Sequence, residues 1–434
     1  MSFRASPPPQ SATRSSAWPF GLLVIVATAA WLAVLWKAGV GTLVAAGGIR
    51  YDRLADVIFP IWKTHAVHVH GFLGALSIEA FNRGQVYTGH PPAMLVAWYV
   101  VARVSEALWG GALGYSTNLI PFVQTCALAA IFGWLAWTAE FTAGAWRWPR
   151  QVLFVLALGF LMTAPSLWRG FYVVQPDDPY PLAIACLAIL LPFVIERRPA
   201  LFRAALVGGA AFALASPIYT PIVLATLVVL FAANGRPEGT VRLVAGAAMI
   251  FAIAMAGWFG PRAVATALHY TTDNSSWAFR SGLDGDRTYL SSMLAAMWDP
   301  FVNYGPAMPG YIHRTGWEAL RMPLTILAVG LACALVSADG RAAARRWLPA
   351  SLVLMLAPYL FTVVFFAQAL TIHPYLYDYL LQFPLVLLGL LTLLHVTRGD
   401  TVHAPTLVAL GWLLAVGTMD HLIVIAQAAR AVAR

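Results

Sequence analysis

Charged side chains are scarce in this sequence, making up 10% of 434 residues, whereas hydrophobic residues make up 60%. Soluble domains carry about 25% charged residues. A water-facing surface cannot be built from so few charges, so the composition excludes a soluble enzyme. A lipid-facing surface can be built from it, because helices satisfy their own backbone groups in the bilayer. The sequence therefore predicts an all-α, polytopic bundle of membrane helices.

Cysteine is rarer still, with three residues in the whole chain. Cys126, Cys186 and Cys333 lie far apart, each inside an apolar run. An odd number of isolated cysteines gives neither a disulfide framework nor a zinc-ligand pattern. We predict that all three are small packing residues.

The net charge of +9 comes from cations that cluster between apolar runs. This distribution is typical of the cytoplasmic loops of membrane proteins. It argues against nucleic acid as a partner and favours the lipid bilayer.

Spanning helices can be located because each crossing needs about 20 apolar residues. If the N-terminus is cytoplasmic, most short-loop arginines face the cytoplasm, and Arg169 is the one cation in the predicted outer short loops. We therefore predict a multi-pass protein of the plasma (inner) membrane. About eleven crossings are predicted, at 18–38, 117–139, 151–168, 179–195, 201–216, 219–233, 242–260, 322–338, 347–366, 376–395 and 405–425.

The predicted domain organisation is a disordered cytoplasmic tail, 1–17, and a single transmembrane domain, 18–434. Two long external loops, at about 39–116 and 261–321, interrupt this domain. Segment 91–108 is apolar enough to span, but a crossing there would turn the later arginine-rich loops outward. We predict that it is an external juxtamembrane or re-entrant helix.

Most of the few carboxylates gather in the predicted outer loops. Asp52 and Asp56 lie in the first long loop, the Asp177–Asp178 pair lies between two spans, and Asp378 follows the segment HPYLYDY. These residues are either solvated loop charges or parts of a site. The adjacent pair needs a cation, a metal or deep hydration to hold two like charges together.

Cations and histidines accompany these carboxylates on the predicted outer side. Lys63 lies in the first long loop, and His90 and His373 each precede a proline at the mouth of an apolar segment. Such groups either anchor the protein to headgroups or bind a lipid phosphate. The histidines of the first loop match no strong metal-ligand signature.

Asp420 and His421 interrupt the last apolar run near its predicted outer end. A charge inside a spanning helix is a functional hypothesis by default. Adjacent helical residues do not face each other, so we treat the two residues separately.

The order of these motifs resembles that of the GT-C glycosyltransferases, multi-spanning enzymes that use polyprenyl-phosphate sugar donors. An acidic residue with aromatics comes first, and a Gly-x-x-Tyr before His-Pro-Pro follows. Next come an acidic pair at the start of a later helix, two short helices broken at small and Pro residues, and a His-Pro-Tyr segment. In this sequence the motifs are Asp56 to Trp62, Gly84 with Tyr87 and His90–Pro92, Asp177 to Tyr180, Ala215 to Pro221, and His373 to Tyr379.

The resemblance implies transfer of a sugar from a polyprenyl-phosphate donor to a lipid or glycan acceptor on the extracytoplasmic face. Asp56 would be the general base, with Asp52 as the alternative. Asp177 or Asp178 would orient a substrate or hold a divalent cation such as Mg or Mn, although the cofactor requirement is unknown. The other substrate contacts would be Lys63, Tyr87, His90, His373, Tyr375 and Asp378.

Elementary chemistry points to the same residue types. Sugar transfer needs a base near the incoming hydroxyl. It also needs positive charge or hydrogen-bond donors where the departing phosphate gains charge. Two other functions remain open: a transporter or flippase of a lipid-linked substrate, and a polysaccharide polymerase or ligase.

Overall fold

The computed structural model is helical through most of the chain that it describes. It describes residues 17–45, 53–64, 73, 78–86, 92–109, 119–138, 147–168, 237–272, 289–302, 316–336, 338–365, 367, 370, 376–396 and 404–433.

The first part of the chain forms short and long helices with one two-residue strand. These elements are α1 (Ala17–Leu35), the π-helix π1 (Trp36–Val40), α2 (Gly41–Ala45), α3 (Arg53–Thr64), α4 (Ile78–Asn82), β1 (Gln85–Val86), α5 (Pro92–Trp109), α6 (Leu119–Thr138), α7 (Arg147–Met162) and α8 (Pro165–Trp168).

The second part begins with a long helix and ends with another. Its elements are α9 (Pro237–Ala267), the strand β2 (Thr271–Thr272), α10 (Tyr289–Val302), α11 (Gly316–Val336), α12 (Ala338–Phe365), the π-helix π2 (Asp378–Gln382), α13 (Phe383–Val396) and α14 (Ala404–Val432).

Among the described residues, three helical stretches are long and apolar enough to cross a membrane: Trp18–Ala45, Val244–Ala267 and Ala404–Val432. Their apolar composition explains both their helical form and their exposed hydrophobic faces. Four shorter apolar helices accompany them. These are Pro121–Trp137, Trp148–Met162, Leu320–Val336 and Leu380–Leu394.

The predicted count of eleven crossings is therefore not confirmed. The predicted spans at 179–195, 201–216 and 219–233 lie outside the described residues. Residues 347–365 of the predicted run at 347–366 are helical, within α12, and residue 366 lies outside the described residues. What the structure gives is an all-α protein with helices suited to a bilayer.

Helix ends differ from the predicted ones in two informative places. The first apolar helix kinks at Gly39, where φ is 144°, and a second helical stretch carries the apolar run past residue 38 to Ala45. The last helix continues past residue 425 to Val432. Asp420 and His421 consequently lie well inside α14 rather than near its end.

The bundle core, defined as the main buried cluster, is built from α1, α6, α7, α11, α12, α13 and α14. Glycines bring its helices close together. A Cβ at Gly159 would lie 2.2 Å from the Trp31 ring, and one at Gly417 would lie 2.7 Å from Phe160. Small residues at such contacts are the usual means by which membrane helices pack, because lipid gives them no hydrophobic drive to associate.

Ring contacts show the relative directions of neighbouring helices. Phe20 near the start of α1 stacks on Trp137 near the end of α6, with ring centroids 5.8 Å apart. Further along α1, Val24 faces Gly133. The contact partners run in opposite order, so α1 and α6 are antiparallel.

A second, smaller cluster is separate from the bundle core. We call it the junction core, and it combines segments of both predicted external loops. Its buried members are Ile58, Phe59, Ile61, Trp62, Leu73, Phe81, Val86, Ala102 and Ala265.

A short parallel strand pair joins the two loops at this core. Gln85 pairs with Thr271, and Val86 pairs with Thr272. The Thr271 N–H also donates to the Gly84 carbonyl at 2.8 Å. The two predicted loops, far apart in sequence, therefore meet on one side of the structure.

Candidate functional site

Helix α3 carries two of the predicted site positions, Asp56 and Lys63. Seven residues separate them, so they share one face of the helix about 10 Å apart along its axis. Ile58, Phe59 and Trp62 of α3 are buried in the junction core. Phe59 lies on the same stripe as the two site positions, three residues after Asp56 and four before Lys63. Lys63, whose side chain is 45% exposed, lies at the edge of this core.

Pro60 marks the middle of the same helix. Proline has no N–H, so the carbonyl of Asp56, four residues earlier, loses its usual intrahelical partner. The Thr64 hydroxyl in turn donates to the Pro60 carbonyl at 2.7 Å. Proline thus removes one regular hydrogen bond of α3 at the carbonyl of Asp56, the residue predicted to be the base.

Aromatic side chains fix α3 against α5. Trp62 lies edge-on to Tyr99 with ring centroids 5.4 Å apart, and Phe59 lies 5.5 Å from Tyr99. The Trp62 indole N–H donates to the Leu73 carbonyl at 2.8 Å. Such ring pairs add to the stability supplied by burial. These contacts therefore fix the position of α3 relative to α5.

Two cations converge on one carboxylate at the edge of this contact. The Lys63 ammonium lies 2.5 Å from Oε1 of Glu106, and the Arg103 guanidinium donates to Oε2. All three side chains are between one third and one half exposed. We call Lys63, Arg103 and Glu106 the α3–α5 ion cluster.

The ion cluster alters the acidity of its carboxyl group. The hydrogen bond from Lys63, followed by the charges of Lys63 and Arg103, holds the pKa of Glu106 below its usual range. Desolvation acts in the opposite direction and is outweighed. Glu106 is consequently ionised at neutral pH, and the cluster carries one net positive charge.

Two left-handed residues end the helices that lead into the strand pair. His269 has φ 62°, and Gly84 has φ 74°. At His269 the Tyr270 N–H donates to Ala265 and the His269 N–H donates to Thr266, which is a Schellman cap. A histidine in this conformation is unusual, and its ring is exposed at the junction of the two loops.

Asp378 lies elsewhere, in the bundle core, and is 3% exposed. It begins π2 and follows Tyr377, whose hydroxyl donates to the Ala296 carbonyl at 2.9 Å. The reading of Asp378 as a solvated loop charge is therefore wrong. Buried carboxylates in spanning helices carry function by default, but this one belongs to a different cluster from Lys63.

Asp420 and His421 point in different directions, as predicted from their adjacency. Asp420 accepts a hydrogen bond from Arg321 at 3.0 Å. His421 is buried, lies 3.1 Å from the Thr163 hydroxyl and stacks on Phe160. These contacts join α14 to α11 and to α7, which is a structural role for both residues.

Several predicted site residues fall outside the described residues. They are Asp52, Tyr87, His90, Asp177, Asp178, His373 and Tyr375. The backbone of Asp56 is described, whereas its side chain is not.

Within the described part of the chain, no group of three or more His, Cys, Asp or Glu side chains is placed to hold a metal ion. A divalent cation at Asp177 and Asp178 stays a prediction.

The contact between Lys63 and Glu106 was missed by reading the sequence. The two residues are 43 positions apart. Helical spacing relates residues within one helix and not across two, so it does not pair Lys63 of α3 with Glu106 of α5. The available signal was Arg103, three positions before Glu106 in a chain with few acidic residues.

Comparisons with protein families, with curated proteins and with solved structures give no significant match to this chain. Its function is therefore inferred from the residues and their geometry.

Proposed function

We propose that the protein is a membrane glycosyltransferase of the GT-C type. It transfers a sugar from a polyprenyl-phosphate donor to a lipid or glycan acceptor at the extracytoplasmic face. Asp56 is the general base, with Asp52 as the alternative, and Lys63 contacts the donor phosphate. The reaction is inverting, because base and departing phosphate lie on opposite faces of the sugar.

The observation that carries this proposal is the meeting of the two long loops in the junction core. Helix α3, with the Asp56 and Lys63 positions on one face, is held there by Trp62 and by Tyr99 of α5. A base and a cation on one helix, about 10 Å apart, leave room for a sugar between them.

Helix directions support placing both loops on one side of the bilayer. Helices α1 and α6 are antiparallel, so if both cross, the chain between them crosses an even number of times. A single crossing by α5 does not fit that geometry. An α5 that lies at the membrane surface does, and it keeps the junction core beside the headgroups.

The chemistry assigned to each group follows from its charge. Asp56 takes the proton of the acceptor hydroxyl as that oxygen attacks the anomeric carbon. The bond from that carbon to the donor phosphate breaks, and the phosphate leaves with the electron pair. Lys63 stabilises the charge that the phosphate gains.

A transporter or flippase of a lipid-linked substrate is the second candidate. Asp378, buried in the bundle core, is the observation that favours it, since transport sites use charges within the bilayer. A polysaccharide polymerase or ligase would use similar substrates, but no particular contact favours it.

Sugar transfer in isolated membranes tests the proposal. Membranes containing the full chain are incubated with radiolabelled polyprenyl-phosphate sugars, and the labelled product is measured. We expect Asp56→Asn to lower transfer by about 10²- to 10⁴-fold, as loss of a general base does. Asp339→Asn makes the same chemical change in α12 and is the matched control.

Full transfer by both Asp56→Asn and Asp52→Asn would refute the assignment of the base. Uptake of a lipid-linked substrate into proteoliposomes without any chemical product would refute the transferase and support the transporter.

A further inference from the structure

Glu106 occupies a position that an external anion could take. Each of its oxygens accepts from a different cation, Oε1 from Lys63 and Oε2 from Arg103. The cations come from separate helices, α3 and α5, and Trp62 and Tyr99 fix the distance between those helices. The structure thus holds two donors apart at the spacing of two oxygens on one anionic group.

A phosphate group suits these two donors better than a carboxylate does. It offers three oxygens to hydrogen-bond donors, and a phosphomonoester carries about −1.5 to −2 charges at neutral pH. Charge-assisted bonds to arginine and lysine are the strong kind. The cluster keeps a net positive charge even with Glu106 present, so it attracts anions.

An exposed apolar stripe runs along α5 beside Arg103. Val100, Val104 and Leu108 recur every four residues and are 54%, 49% and 66% exposed. Residues at this spacing line one face of a helix. A ligand with a phosphate group and a hydrocarbon chain would satisfy both the cations and the stripe, whereas a free anion would satisfy only the cations.

We propose that Lys63 and Arg103 form a binding site for the phosphate group of a membrane lipid, and that Glu106 fills this site when no lipid is bound. Lipid binding exchanges one anion for another: the phosphate takes over both cations and Glu106 turns to water. In the proposed function this lipid is the polyprenyl phosphate, a diester while it carries the sugar and a monoester once the sugar has left, and to that extent the inference rests on that function.

Glu106 competes as a tethered group, so it weakens the apparent affinity without altering the cations. Exposed ion pairs are individually weak, which keeps the exchange reversible. Removing the charge of Glu106 is therefore expected to tighten lipid binding by about threefold to tenfold. Removing either cation is expected to weaken it by about tenfold.

Native mass spectrometry of the full-length protein in a neutral detergent measures this binding. The probe is dioleoyl phosphatidate, titrated against wild type and the variants Glu106→Gln, Lys63→Gln and Arg103→Gln. Dioleoyl phosphatidylcholine is the lipid control. Arg345→Gln removes an exposed arginine from α12 and is the matched protein control, expected to bind within about twofold of wild type.

Tighter binding by Glu106→Gln together with weaker binding by both cation variants supports the proposal. Unchanged binding in Glu106→Gln would overturn the competitor role. Unchanged binding in both Lys63→Gln and Arg103→Gln would overturn the site. Displacement of the lipid by an equal concentration of inorganic phosphate would show that a free anion is the ligand, against the apolar contribution of α5.

The transfer assay separates this inference from the proposed function. Sugar transfer without any effect of these variants on phosphatidate binding overturns the inference alone. The expected binding pattern without sugar transfer overturns the proposed function alone.

Discussion

The bundle core and the junction core are built on different principles. The bundle core is large, and its helices approach through glycines such as Gly159. The junction core is small, and aromatic rings, one strand pair and backbone caps hold it together. The difference teaches that the bundle is held by close helix contacts, whereas the smaller unit carries the exposed α3–α5 ion cluster. We expect the two cores to differ in local stability.

Removing the largest ring of the junction core gives the largest expected effect. Trp62→Ala removes a 4% exposed side chain and the bond to Leu73. We expect a loss of about 3–5 kcal/mol of local stability. Hydrogen exchange should accelerate in α3, α5 and both strands, while the amides of α7 and α14 keep their protection. Trp412→Ala, at a 72% exposed tryptophan of α14, is the control.

If Trp62→Ala accelerates exchange equally in both cores, the two form one cooperative unit and the comparison fails.

A glycine contact tests the bundle in the same way. Gly159→Ala would place a Cβ 2.2 Å from the ring of Trp31, which its bond to the Val155 carbonyl holds in place. We expect about 1–3 kcal/mol of destabilisation from overpacking. Thermal unfolding in detergent, followed by circular dichroism, measures it.

The matched change is Gly21→Ala, because nothing lies within 4 Å of a Cβ there. That variant should be stabilised by about 0.5–1 kcal/mol, as alanine replaces glycine inside a helix. Equal melting temperatures for the two variants would show that the close approach at residue 159 is not a constraint.

The two left-handed caps of the junction core predict a smaller pair of effects with opposite signs. His269→Gly relieves the strain of a positive φ and should stabilise the junction by about 0.5–1 kcal/mol. Gly84→Ala introduces the same strain and should destabilise it by about 1 kcal/mol. Hydrogen exchange of the Thr271 and Thr272 amides reports both changes, and a shift of the same sign in both variants would contradict the assignment.

The smallest expected effect is the pH dependence of the ion cluster. Since the folded state lowers the pKa of Glu106, its contribution to stability is fully present above the unfolded value of about 4.3. The contribution is lost as pH falls through the lowered folded value. Wild type should therefore melt slightly above Glu106→Gln at neutral pH, and the difference should shrink as pH falls below the unfolded value. A difference that stays constant as pH falls through this range would mean that the carboxylate charge is not its source.

Local signals in the sequence predicted much of the bundle core and little of the junction core. Apolar length located α1, α6 and α14, because hydropathy acts over about 20 neighbouring residues. Helices α3 and α10, inside the predicted loops, were not foreseen, since their apolar runs are short and mixed with polar residues.

The candidate site shows the same division. Lys63 was identified as an outer cation from its surroundings in the sequence. Its partner Glu106 depends on how α3 packs against α5, and the pairing of Gln85 with Thr271 depends on the assembly of both loops. Such contacts follow from tertiary structure and leave no periodic trace in the sequence.

The bond between the Thr271 amide and the Gly84 carbonyl has a consequence for how the protein is made. The residues it joins are 187 positions apart. At a synthesis rate of about 5–20 residues per second, Thr271 is synthesised roughly 10–40 seconds after Gly84. During that interval the nascent chain presents Phe81 and Val86 without the second loop that covers them. The apolar surface of Phe81 and Val86 must therefore be protected during synthesis until the second loop has been made.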